Sequence, residues 1–85
     1  MLIKAIIVNR NLLTTLQNTI EFLKKEDRVS EIHVLDNQST YPPLLDYYKK
    51  ASVKVHYLKD NHGPQHVWDG KFKDIRDADY YIVAD

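Results

Sequence analysis

Four short apolar runs divide the chain, and each of them leads into polar residues. They cover residues 3–8, 31–36, 53–58 and 79–84. Aliphatic runs of this length are typical of strands that are covered on both faces in a parallel sheet. In the third run Lys54 and His56 alternate with apolar residues, which is expected nearer a sheet edge. The pattern therefore predicts four strands, in which His33 and His56 are ordinary strand residues.

Helical periodicity separates the strands. Apolar residues recur at intervals of three and four after the first strand and predict a helix over 12–25, with Asn11 or Thr14 as its cap. Two consecutive prolines then open a second helix, which ends near Lys50. A third helix is predicted over 65–72, with Gly70 inside it.

The alternation of strands and helices predicts an α/β fold with a mainly parallel four-stranded sheet. Right-handed crossovers place the second and third strands on one side of the first, and the fourth strand on the other. The expected strand order is 3-2-1-4, in a three-layer, Rossmann-like arrangement with helices on both faces. Residues 1–85 form one domain, with no linker or repeat.

Polar residues gather where the predicted strands end. In open α/β sheets, ligands bind at the carboxyl ends of strands, where the strand order reverses. Here that point lies between strands one and four. The residues expected there are Asn9, Arg10 and Asn11 after strand one, Asp36, Asn37 and Ser39 after strand two, Asn61 and Gly63 after strand three, and Asp85 after strand four.

Several of these residues have two interpretations. Asp36 can accept hydrogen bonds from a ribose diol or a base, or it can cap the following loop locally. Arg10 can pair with a phosphate or lie solvated at the surface. Asn11 can contact a base edge or serve only as a helix cap.

Metal binding also has two interpretations. Asp85 is a carboxylate of the kind that hard cations require, but a single carboxylate does not make a site. His62 and His66 would share a helical face, yet Gly63 and Pro64 lie between them and no third ligand follows at a zinc spacing. We therefore do not expect a zinc site.

Composition and missing motifs exclude other classes. Twelve basic residues balance twelve acidic ones, which gives no electrostatic reason to expect nucleic acid as a partner. The chain has no cysteine and no apolar stretch long enough for a signal peptide or a membrane span, so we expect a cytoplasmic protein. Dinucleotide-binding, phosphate-loop and nucleophile-elbow motifs are absent.

Four short motifs at the strand ends resemble those of GT-A fold glycosyltransferases of the large family 2 type. Members open with a strand that runs into a Pro-x-x-Asn loop, where this chain has Val8 instead of proline and continues with Asn9, Arg10 and Asn11. The other three are the Asp-Asn-x-Ser segment 36–39, the Asn-x-Gly segment 61–63, and the hydrophobic approach 81–85 to an Asp-x-Asp metal motif.

The resemblance implies a donor-binding half that holds a nucleotide-diphospho-sugar such as a UDP-sugar. It implies that the loop after strand one and Asp36 contact the base and ribose. Asp85 would belong to the diphosphate end, with Mn²⁺ or Mg²⁺ as the cofactor. The chain stops before the second aspartate of the metal motif and before the acceptor-binding half. We therefore interpret it as a truncated domain. We assign no catalytic residue in it and expect it to lack turnover.

Two other functions remain open. A non-catalytic α/β module could bind protein or self-associate through the exposed edge of strand four. A generic nucleotide-binding domain would not distinguish uridine from adenine nucleotides.

Overall fold

A computed structural model describes residues 2–58 and 78–84. The elements in chain order are β1 (Ile3–Asn9), α1 (Thr14–Lys24), β2 (Glu31–Asp36), α2 (Pro42–Lys50), β3 (Lys54–Tyr57) and β4 (Tyr80–Ala84). All four predicted strands and the first two predicted helices are confirmed, with ends that differ by one or two residues. The third predicted helix, 65–72, lies outside the described residues.

The four strands form one parallel sheet in the order β3-β2-β1-β4, which confirms the predicted order. β1 is central, and it pairs with β2 from Lys4 opposite Glu31 to Asn9 opposite Asp36. The carboxyl ends of β1 and β2 therefore lie side by side. The strand order reverses between β1 and β4, as the sequence predicted.

Both described helices pack against the same face of the sheet. Alternate residues of β1 and β2, Ala5, Ile7 and Val34, are 0–2% exposed and form the floor of this core. The residues that cover them from the helices are Leu16, Ile20, Leu23, Leu44 and Tyr48. Full burial of a large aliphatic side chain contributes about 1.5–3 kcal/mol, so this face supplies much of the driving force for folding.

The opposite face of the sheet carries a smaller apolar cluster beside charged residues. Ile6, Leu35 and Leu58 are buried together near its carboxyl end. Lys4 and His33, which are also buried, lie towards its amino end. No described helix contacts this face, so the coarse α/β fold is established while the three-layer arrangement stays a prediction.

The start of α1 differs from the sequence prediction, whereas α2 begins at the two prolines as predicted. The N-cap residue of α1 is Leu13, with no side-chain cap hydrogen bond, so the prediction of Asn11 or Thr14 as the cap was wrong. The N-cap residue of α2 is Tyr41 in an extended conformation, followed by proline in the first turn. Proline suits this place because its fixed φ is already helical and its missing N–H needs no partner there.

Candidate functional site

The loops that follow β1 and β2 are joined into one polar surface. The Asn37 N–H donates to the carbonyl oxygen of Asn9 at 2.8 Å, which extends the pairing one step beyond β2. The Asn11 N–H then donates to Ser39 Oγ at 2.9 Å. Two residues predicted after strand one are therefore bonded to two residues predicted after strand two.

Asn11 strengthens this connection with its side chain. Its φ of 56° lies in the left-handed region, which asparagine tolerates better than most residues. Its Oδ1 accepts the N–H groups of Thr40 at 2.7 Å and Tyr41 at 3.0 Å. Asn11 thus satisfies backbone donors at the approach to α2, and not those of α1, the helix that follows it in sequence.

A buried group of three polar side chains lies directly beneath the two loops. The Tyr48 hydroxyl donates to Asp36 Oδ1 at 2.6 Å. The amide of Asn9 donates to the same hydroxyl oxygen at 3.0 Å. All three residues are at most 5% exposed. Because buried polar groups are costly when unpaired, this mutual satisfaction fixes the relative positions of β1, β2 and α2.

The second oxygen of Asp36 holds the loop that follows it. Asp36 Oδ2 accepts the N–H of Ser39 at 3.0 Å, which is the local capping that the sequence allowed for an aspartate in this position. Both carboxylate oxygens therefore have partners within the chain. In this geometry Asp36 positions Ser39, whose hydroxyl in turn binds the Asn11 N–H.

The environment of Tyr48 keeps its hydroxyl protonated. Burial raises the pKa of Tyr48 well above its ordinary value, and the hydrogen bond to Asp36 raises it further. A phenol in this state remains a donor towards Asp36 throughout the neutral range. Hydrogen bonds between a neutral donor and a carboxylate are short and strong, which agrees with the 2.6 Å separation.

Six of the nine predicted site residues are brought together at this edge of the sheet, and they differ in accessibility. Asn9 and Asp36 are buried. Arg10 and Asn11 are exposed, and Asn37 and Ser39 are partly exposed. Asn61, Gly63 and Asp85 lie outside the described residues. The exposed and partly exposed members are the ones that can contact a ligand without rearrangement of the buried group.

Tyr48 is the site residue that sequence reasoning missed. It lies four residues after Leu44, and both side chains are on the buried face of α2. A signal for a polar role was present as well, because a tyrosine on a buried helical face needs a partner for its hydroxyl. The identity of the partner depends on how α2 crosses the ends of β1 and β2.

Two exposed tyrosine rings lie beside the polar surface. Tyr57 ends β3 opposite Asp36 and is 61% exposed, and Tyr41 is 46% exposed. The ring of Tyr57 meets the ring of Tyr48 edge to face, with centroids 6.0 Å apart and an interplanar angle of 79°. The ring of Tyr57 is therefore held in place by Tyr48 and lies beside hydrogen-bonding groups. An aromatic ring next to such groups suits a planar polar ligand.

The described residues do not assemble a metal site. Residues 2–58 and 78–84 contain no group of three or more histidine or carboxylate side chains that could hold an ion. The predicted cation ligand Asp85, and the weighed pair of His62 and His66, lie outside these ranges.

A cavity of about 310 Å³ lies at the opposite end of the sheet. Its apolar lining comes from Leu23, Val29, Ile32 and Val53, and polar side chains from the amino ends of β2 and β3 also line it. Ligands of parallel sheets bind at the carboxyl ends of strands, so this cavity does not belong to the predicted site.

Within the described residues, no helix has the length and apolar character needed to span a membrane. Comparisons with protein-family models, with curated protein sequences and with solved structures found no match to this chain.

Proposed function

We propose that this chain is the donor-binding half of a glycosyltransferase and that it holds a nucleotide-diphospho-sugar at the carboxyl ends of β1 and β2. One observation carries the proposal. Ser39 bonds to the two parts that the resemblance assigns to the base and ribose: its hydroxyl accepts from the Asn11 N–H, and its own N–H donates to Asp36. The loop after β1 also borders the reversal of strand order between β1 and β4. The chemistry of nucleotide recognition at such an edge supports it as well.

In this proposal the residues divide into two groups. Asn9, Asp36 and Tyr48 position the loops from below. The partly exposed Asn37 and Ser39 offer hydrogen bonds to a base and ribose, while the exposed guanidinium of Arg10 pairs with a phosphate. Direct contact between Asp36 and the ligand remains a prediction. Each carboxylate oxygen can accept a further hydrogen bond, but Asp36 is 2% exposed and must become accessible to the ligand.

The catalytic part of the proposal concerns a complete enzyme. There an acceptor hydroxyl attacks the anomeric carbon of the sugar, and the nucleoside diphosphate leaves. We propose that this chain supplies donor binding and does not itself carry out the transfer. The divalent cation at Asp85, a third layer of helix and a cytoplasmic location belong to the same proposal.

Calorimetry tests the proposal with UDP and ADP as ligands. We expect UDP to bind more tightly than ADP, and Arg10→Ala to weaken UDP binding several-fold through loss of a phosphate contact. Arg28→Ala is the matched control, because Arg28 is an exposed arginine paired with Glu26 in the turn before β2. Equal affinity for UDP and ADP would favour a generic nucleotide-binding domain instead.

A second function, self-association, is favoured by the exposure of β4. This strand pairs only with β1 among the described strands, and its Tyr80, Ile82 and Val83 are 40–59% exposed. Unpaired strand edges with apolar side chains are surfaces to which another strand can add. Sedimentation at increasing concentration tests this function. We expect Ile82→Lys to abolish a concentration-dependent dimer, and Phe22→Ser, at a residue that is 72% exposed on α1, to leave it intact.

A further inference from the structure

A chain of hydrogen bonds crosses the sheet face opposite the described helices. Glu31 Oε1 lies 2.8 Å from His33 Nε2. The other ring nitrogen of His33, Nδ1, lies 2.9 Å from His56 Nε2 on the neighbouring strand. His33 is 0% exposed and His56 is partly buried, so the contact between the two imidazoles is shielded from water.

The two rings have the geometry of an in-line imidazole–imidazole hydrogen bond. Their planes are inclined by only 19° and their centroids are 5.1 Å apart. With facing nitrogens 2.9 Å apart, this centroid separation places the two nitrogens close to the line that joins the ring centres. One nitrogen must therefore carry the hydrogen, and the other must offer its lone pair.

The number of hydrogens on the facing nitrogens determines how many protons the pair can gain before the His33–His56 hydrogen bond is lost. The Glu31 carboxylate requires the hydrogen of His33 on Nε2, so in the neutral pair His33 Nδ1 accepts from the Nε2–H of His56. One added proton still leaves a single hydrogen between the facing nitrogens. A second added proton places two N–H groups opposite each other, and the hydrogen bond is lost.

We infer that His33 and His56 act as one proton-binding unit that accepts one proton and excludes the second, and that this unit makes the docking of edge strand β3 sensitive to pH. Interacting groups of this kind titrate in steps that belong to the pair and not to either residue.

The charged neighbours of the pair favour the exclusion of a second proton. On this face Lys4 projects from β1, Lys54 from β3 and Tyr81 from β4, in register with Lys4. Glu31 Oε1 lies 3.0 Å from Lys54 Nζ and 3.7 Å from Lys4 Nζ. The Glu31 carboxylate is therefore already shared between two ammonium groups when the pair takes up its first proton, and a second cationic imidazole adds like charge.

Strand β3 is the element that depends on this contact. Only four residue pairs join it to β2, beginning at His33 opposite Lys54 and ending at Asp36 opposite Tyr57. The unfolded chain can protonate both imidazoles independently, whereas the folded sheet holds one proton. Because the unfolded state then binds more protons, acidification through the histidine range favours release of β3 and unfolding.

The test is the pH dependence of the unfolding constant together with imidazole ¹⁵N NMR on the intact chain. Between pH 7 and 5, the ¹⁵N shifts of His33 and His56 should together report uptake of one proton. Once the unfolded chain holds one proton more than the folded chain, the unfolding constant should rise by up to about tenfold for each unit by which the pH falls. Hydrogen exchange at Val55 and Tyr57 should accelerate before exchange at Ile7.

The variant His56→Gln distinguishes the contribution of the histidine pair to the pH dependence of unfolding from the contribution of other groups that titrate in acid. The glutamine amide can donate to His33 Nδ1 or, after rotation, accept from it, so the variant lets His33 take its proton and should flatten the pH dependence. His62→Gln is the control for removal of one histidine and should retain the wild-type slope. The inference is overturned if both imidazoles gain a full proton in the folded chain, or if His56→Gln leaves the slope unchanged. Should the variant fail to fold, the ¹⁵N titration of the wild type decides alone.

Discussion

The hydroxyl of Tyr48 donates to Asp36 Oδ1 at 2.6 Å and thereby joins helix α2 to the end of strand β2. Asn9, at the end of β1, donates to the same hydroxyl. One phenol therefore connects three elements beneath the loops that we propose to bind the ligand. Its loss should affect both the stability of the fold and the geometry of these loops.

Tyr48→Phe removes this connection and retains the ring. Asp36 Oδ1 and the amide of Asn9 then lose a buried partner, which costs about 1–3 kcal/mol or somewhat more for the charged acceptor. We expect this decrease in the free energy of unfolding in urea. Tyr47→Phe, one position earlier on the same helix, is the matched control, with an expected change below about 0.5 kcal/mol. Equal losses in the two variants would contradict a structural role for the Tyr48 hydroxyl.

Two substitutions at Asn11 separate the contribution of its backbone conformation to stability from that of its side chain. Asn11→Gly keeps the left-handed conformation and loses the two hydrogen bonds from Oδ1, so we expect a loss of about 1–2 kcal/mol. Asn11→Ala loses the same bonds and adds the cost of φ > 0 for a residue with a Cβ, about 1 kcal/mol more. Urea unfolding measures both variants. Equal stability of the Asn11→Ala and Asn11→Gly variants would contradict the left-handed conformation of residue 11.

Glu31 should govern stability in acid. Hydrogen bonds from Lys54 and His33 lower the pKa of Glu31 from 4.5 to about 2. Since the pKa is depressed in the folded state, the stabilisation is fully present above about pH 4.5 and is lost as the pH falls towards about 2. Glu31→Gln should flatten the pH dependence of stability in that window, as measured by urea unfolding at a series of pH values.

Glu26→Gln is the control for this prediction, because Glu26 also lies beside a cation, but this partner, Arg28, has a side chain that is 80% exposed. Exposed ion pairs contribute little, so most of the acid dependence should persist in that variant. A variant at Glu26 that flattened the curve as much as Glu31→Gln would assign the effect to the surface pair instead.

The sequence was sufficient for the strands and their order because the apolar runs are short and separated by clear helical periodicity. The neighbouring positions of Asn9 and Asp36 also followed, since parallel strands bring their carboxyl ends to one edge. The face of the sheet opposite the described helices was less predictable. His33 and His56 were correctly placed in strands, but their contact depends on the β2–β3 register, which no local pattern determines.

The contacts of Asn11 and Tyr48 within the site were not predicted from the sequence, for a similar reason. The hydrogen bonds of Asn11 reach residues 29 and 30 positions away, so neither interpretation drawn from its local context, a base contact or a cap of the helix that follows it, included them. The position of α2 over the ends of β1 and β2 likewise determines which groups Tyr48 meets. These contacts depend on how the helix packs on the sheet, which the spacing of residues along the sequence does not determine.

Amide NMR during titration with UDP, with ADP as the comparison ligand, tests the proposed donor site most directly. We predict shift changes that cluster at residues 9–11 and 36–39 and that are larger for UDP than for ADP. An unperturbed spectrum of the folded chain would contradict the proposal. So would changes confined to Ser30, Ser52 and their neighbours around the cavity at the amino ends of β2 and β3.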